Sequence, residues 1–161
     1  MKYLKTYEQS NVNKLDYSNK GLEYLPELPE GLTILYCYNN QLSELPELPE
    51  GLTILYCGNN QLSELPELPE GLKYLYCSDN KLSELPELPE GLKELYCYNN
   101  KLSELPELPE GLTDLYCGDN QLPFEDLEGY KEWYKENEYL IKTQGLSYAY
   151  ELSNSINKYN V

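Results

Sequence analysis

Gly31-Leu32-Thr33-Ile34-Leu35-Tyr36-Cys37-Tyr38-Asn39-Asn40-Gln41-Leu42-Ser43-Glu44-Leu45-Pro46-Glu47-Leu48-Pro49-Glu50 is the stretch on which the fold turns. It recurs with few changes from Gly51, Gly71, Gly91 and Gly111, always twenty residues on. A degenerate earlier copy stands in phase before it, from Leu15-Asp16-Tyr17 through Leu28-Pro29-Glu30. Repetition at one fixed period marks a solenoid, in which each copy makes one coil and stacking buries what no coil can bury alone. Within a copy the side chains Ile34-Leu35-Tyr36-Cys37-Tyr38 alternate. Period two predicts a strand with Leu35 and Cys37 inward and Ile34, Tyr36 and Tyr38 outward. Asn40 follows as the turn residue, with its amide predicted to satisfy main-chain groups of its own turn and of the next coil.

The return leg, Leu45-Pro46-Glu47-Leu48-Pro49-Glu50, cannot be helical. Each proline fixes φ and drives the preceding leucine into extended backbone. A polyproline-like convex side is the expected outcome, with Gly51 making the tight turn into the next strand. The chain divides as a flank at 1–11, repeats at 12–123 and a helical cap at 124–161. In the cap, Leu127, Tyr130, Trp133 or Tyr134 and Leu140 recur at helical spacing. Leu146, Ala149, Leu152, Ile156 and Tyr159 do so again beyond a break at Gly145. Two helices over 124–159 are expected, at least the first covering the open end of the core.

These units resemble the short leucine-rich repeats of secreted bacterial effectors, whose return legs carry the same Leu-Pro-x-Leu-Pro motif. Asn- and Tyr-rich arrays of giant viruses of amoebae are similar. The resemblance covers roughly residues 12–123. It implies a leucine-rich-repeat solenoid with a parallel sheet on its concave face, and a protein that works by binding other proteins. Some bacterial relatives carry a ubiquitin-ligase domain beyond the repeats. The 38 residues after Pro123 are too few for one and contain no cysteine, so that activity is not implied here.

Composition narrows the partners. The chain of 161 residues has 12 basic residues, all lysine, against 28 acidic ones, for a net charge of −16 and no histidine. Nucleic acid and anionic membranes are poor partners for such a surface, since both recruit basic side chains. No apolar run is long enough to span a bilayer, and Met1–Tyr7 lacks a secretory core, so a cytoplasmic site is expected, host-cell cytoplasm included.

Catalysis is not expected. Without histidine there is no Ser–His or Cys–His pair, and no phosphate-cradling glycine loop is visible. Cys37, Cys57, Cys77, Cys97 and Cys117 have no C-x-x-C or histidine partners, so they read as buried reduced thiols rather than metal ligands or disulfides. The glutamate columns built on Glu44, Glu47 and Glu50 read as a solvated face, with cation binding the alternative. No cofactor is called for.

The outward strand face is the candidate site. Tyr36, Tyr56, Tyr76, Tyr96 and Tyr116 form one aromatic column. Beside it run Ile34, Ile54, Tyr74, Glu94 and Asp114, apolar early and acidic late. On the other flank are Tyr38, Gly58, Ser78, Tyr98 and Gly118. Tyrosine with serine, glycine and asparagine is the mixture paratopes use. The face therefore reads as a docking site for a protein or peptide, with Glu94 and Asp114 selecting a basic element. Tyrosines pairing only as strand formers are the plainer reading. A monomer is expected; a self-associating repeat protein and a recruiting arm for an enzyme on another chain remain alternatives.

Overall fold

Residues 13–159 are described by the structure, a computed structural model; the flank at 1–11 lies outside them. Each copy of the repeat forms one three-residue strand: β1 (Lys14–Asp16), β2 (Ile34–Tyr36), β3 (Ile54–Tyr56), β4 (Tyr74–Tyr76), β5 (Glu94–Tyr96) and β6 (Asp114–Tyr116). They pair in sequence order as a parallel sheet, with Leu15, Leu35, Leu55, Leu75, Leu95 and Leu115 in direct register. Register follows from the repeat, because a slip of one residue would turn every leucine to solvent. Leu35, Cys37 and Leu42 are fully buried, as are their counterparts in the next three coils. The return legs carry neither helix nor strand, and Leu45, Leu65, Leu85 and Leu105 close the core from that side.

The two turns of each coil add two details to the sequence reading. First, the asparagine amide bridges to the coil before it, not the one after. Asn60 Oδ1 accepts from Leu42 N at 3.1 Å, while Nδ2 donates to the carbonyls of Cys37 and Cys57, both at 3.0 Å. Asn40, Asn80, Asn100 and Asn120 repeat the arrangement. Second, the tight turn into the next strand forms at Gly51 as expected, with Leu52 N donating to Pro49 O at 3.0 Å, but without left-handed backbone. Positive φ falls on the residue before the bridging asparagine: Asn39, Asn59, Asp79, Asn99 and Asp119 lie between 51° and 56°. Asn and Asp accept that conformation more readily than other side chains. A Cβ at Gly51 would meet only ordinary contacts, so this turn needs no glycine.

The cap begins in backbone rather than helix. Cys117 N donates to Glu125 O at 2.8 Å, and Tyr116 bridges Asp126 antiparallel, so residues 125–126 pair the last strand edge. That removes an unpaired edge from the end of the stack. Helix α1 (Leu127–Gln144) then starts at Leu127, the first residue of the helical spacing and three residues into the expected 124–159 stretch, capped by Asp126, whose carboxylate accepts from Gly129 N at 2.9 Å. Gly145, at φ 95°, breaks the chain before α2 (Leu146–Tyr159).

Both helices cover the open core. Tyr130 and Trp133 are the buried residues of α1, and Ala149 and Tyr150 those of α2. Trp133 stacks on Tyr150 at 4.5 Å, and Phe124 packs edge-on to Tyr130 at 5.1 Å. Ile156, placed by its spacing on the inner face, is 51% exposed; the side chain of Tyr159 lies outside the described residues.

Candidate interaction surface

The sheet register converts the twenty-residue period into columns of side chains on the outward face. In the central column the tyrosine rings lie against one another. Centroids are 5.0 Å apart for Tyr36–Tyr56, 4.1 Å for Tyr56–Tyr76, 4.6 Å for Tyr76–Tyr96 and 4.7 Å for Tyr96–Tyr116. Tyr56 and Tyr76 are nearly parallel, while Tyr36 meets Tyr56 edge-on. Four of these rings are therefore half-buried by their neighbours, and only Tyr116, at the end of the file, is exposed. Rings so packed present a rigid strip, since each has already lost much of its rotamer freedom.

The second column runs Ile34, Ile54, Tyr74, Glu94, Asp114, all half-buried. Its sequence-level gradient gains a feature at each end. In the first coil the same register position is Lys14, whose Nζ sits 4.6 Å over the Tyr36 ring. Towards the other end, Tyr76 donates its hydroxyl to Glu94. Burial, and then this bond to a carboxylate, push the Tyr76 phenol above its ordinary pKa, so it stays a donor. Neither contact was foreseen. Both could have been found by laying the degenerate first copy, and residues eighteen apart, onto the same register.

The third column alternates large and small. Tyr38 is half-buried and Tyr98 is 40% exposed, with Gly58 and Ser78 in the two coils between them. The missing rings leave a shallow hollow of about 210 Å³, walled on one side by Tyr56, Tyr76 and Tyr96. Beyond it the left-handed residues form a ladder of their own. Asn39 donates to Asn19 at 2.9 Å, Asn59 to Asn39 at 2.6 Å, and Asn99 to Asp79 at 2.7 Å. Every face residue singled out in the sequence thus falls on one continuous surface.

Elsewhere the chemistry is sparse. All five cysteines are free and buried, and burial pushes the thiols of Cys37, Cys77 and Cys117 up to about 12 and those of Cys57 and Cys97 well above their usual value. Thiols held neutral in this way are poor nucleophiles and poor metal ligands. Among the described residues no group of three or more cysteines or carboxylates is placed to hold a metal ion, and no helix is long and apolar enough to cross a membrane. On the return side Glu47, Glu67, Glu87 and Glu107 are exposed, one above another.

The sequence matches the family described as leucine-rich repeats (two copies) over residues 30–70, 50–90 and 70–110, half of the chain. No curated protein matches it. Among solved structures, YopM from Yersinia enterocolitica WA-314 superposes with a TM-score of 0.69 at 43% identity, over 71% of this chain and 26% of that one. A Shigella effector LRR domain gives 0.67 at 40% identity, over 68% of this chain and 50% of that one. YopM from Yersinia pestis, described as a leucine-rich effector protein, gives 0.54 at 30% identity, over 67% and 43%. The chain therefore spans between a quarter and a half of the length of the structures it matches.

Proposed function

Because the chain belongs to the leucine-rich repeat family, we propose that it is a non-catalytic, effector-like interaction module that docks a protein or peptide on its tyrosine-lined sheet face. The observation carrying this reading is the contrast between interior and face. Inward positions are leucine, cysteine and asparagine in coil after coil, as stacking demands. The neighbouring outward column changes from Ile34 and Ile54 through Tyr74 to Glu94 and Asp114. Packing of the core gives no reason for that change, whereas a partner with an apolar end and a basic end does. The stacked tyrosines supply area at low entropic cost, and the acidic residues give orientation and choice. The likeness to effector repeats supports the class of function and names no partner.

The test is capture by the purified chain from the native cell extract, repeated with Tyr56, Tyr76 and Tyr96 all changed to alanine. Circular dichroism and a urea midpoint establish that the variant is folded. Loss of one identified partner, reproduced with that partner purified, is expected. Full retention by the folded triple variant removes this face from consideration.

A further inference from the structure

The hollow in the third column has a floor and a rim of unusual chemistry. Its floor is Gly58 and Ser78, and the Ser78 side chain, 6% exposed, has a hydroxyl oxygen that is buried with no hydrogen-bond partner. A buried polar atom without a protein partner costs free energy unless a water or a ligand group bonds it, so Ser78 offers a hydrogen-bonding position that no group of the chain itself occupies. On the rim stands Asp79, the one carboxylate lining the hollow; one of its oxygens accepts from Asn99, and a carboxylate has capacity for further donors. Tyr38 and Tyr98 stand at the two ends along the stack.

We propose that this hollow receives an arginine side chain of the docked partner, an inference that rests on the sheet-face reading above. A guanidinium is planar, weakly hydrated and always charged, and carries five donors in a fixed fork. It can give a charged hydrogen bond to Asp79 and another to the Ser78 hydroxyl, which reorients by rotation about one bond. Either of its flat faces can lie against a tyrosine ring that lines the hollow. The net charge of −16 favours entry of a cation over an anion or a neutral group. An ammonium can sit over a ring, as Lys14 does over Tyr36, but it is compact and strongly hydrated and lacks the planar fork that would reach Asp79 and Ser78 together. Gly58 keeps the slot open, since a Cβ there would approach Ser78 O to 3.2 Å.

Two substitutions probe the hollow with residues the fold already accepts at equivalent places. Asp79→Asn installs the residue found at Asn39 and Asn59, and Ser78→Tyr the residue found at Tyr38 and Tyr98. Isotope-labelled full-length chain is titrated with N-acetyl-arginine methylamide, its lysine counterpart and the neutral isostere N-acetyl-citrulline methylamide, and followed by amide NMR shifts. Saturable shifts centred on Gly58, Ser78 and Asp79 are expected for arginine. Binding should weaken about tenfold for citrulline or in Asp79→Asn, and vanish in Ser78→Tyr. Equal binding of citrulline or lysine, unchanged affinity in Asp79→Asn, or shifts gathered on the return-leg glutamates instead would overturn it.

The partner assay separates this failure from that of the parent reading. If the tyrosine triple variant loses the partner while Asp79→Asn and Ser78→Tyr keep it fully, the arginine slot falls and the face stands. If the triple variant keeps the partner, both fall.

Discussion

Adjacent asparagines in each turn have different physical tasks, and a substitution at one is not equivalent to the same substitution at the other. Asn60 is a part-buried amide that engages four backbone groups at once, accepting from Leu42 N and sharing its two N–H donors among the carbonyls of Cys37, Cys57 and Gly58. Removing it strands main-chain groups of two coils, each costing about 1–3 kcal/mol. Asn60→Ala should therefore lower the unfolding free energy by roughly 3 kcal/mol, read as a drop in urea midpoint. Asn39 stands on the surface at φ 54°, and its side-chain amide bonds the ladder neighbours Asn19 and Asn59. Asp79 fills the same position two coils on, so Asn39→Asp should cost less than about 0.5 kcal/mol. A large loss for Asn39→Asp, or a small one for Asn60→Ala, would contradict this division. The bridging amide was legible from the sequence because it recurs at a core position. Its direction was not, because the alternation of side chains does not say which neighbouring coil presents its open carbonyls.

At the scale of elements, the three-residue strands are too short to persist alone and exist because their neighbours pair them. The terminal strand β6 lacks a next coil, and residues 125–126 with α1 and α2 take its place. The periodicity of 127–140 and 146–159 was enough to predict two helices broken at Gly145. It placed Ala149 on the apolar face, where it is buried, but did not show that Tyr150 would be buried beside it, since helix rotation is set by what the helix packs on. Tyr150 is 1% exposed and stacks on Trp133, the only tryptophan in the chain. Tyr150→Ala should cost about 3–5 kcal/mol and shift Trp133 emission to longer wavelength as water reaches the ring. Unchanged emission with an unchanged urea midpoint would mean that α2 does not seal the core.

The whole molecule carries a charge imbalance that no local contact relieves. Among the described residues the one ion pair is Lys142 with Glu138, exposed at 2.5 Å, worth little by itself. Meanwhile the glutamates of the return legs recur in exposed columns with every coil, and the parallel sheet sets their spacing at about 4.8 Å. Like charges so close repel, and salt shortens the reach of that repulsion from about 10 Å at 0.1 M to about 3 Å at 1 M. Raising sodium chloride over this range should raise the melting temperature by several degrees; a flat profile would show that repulsion contributes nothing to stability. The same field makes a basic partner favourable to this chain and gives the proposed docking its direction.

By itself, the sequence determined that coils of twenty residues stack in register with leucine inside and tyrosine out, because one repeated period admits only one burial pattern. It equally determined that the return legs would be extended, since each proline excludes helix whatever surrounds it. Only the tertiary structure decided how far the tyrosines cover one another, and that Glu94 meets Tyr76. It alone decided that Gly58 and Ser78 open a hollow beside the tyrosine column. Those features depend on contacts between side chains of different coils, whose distances come from the packing of the stack and are written in no single repeat.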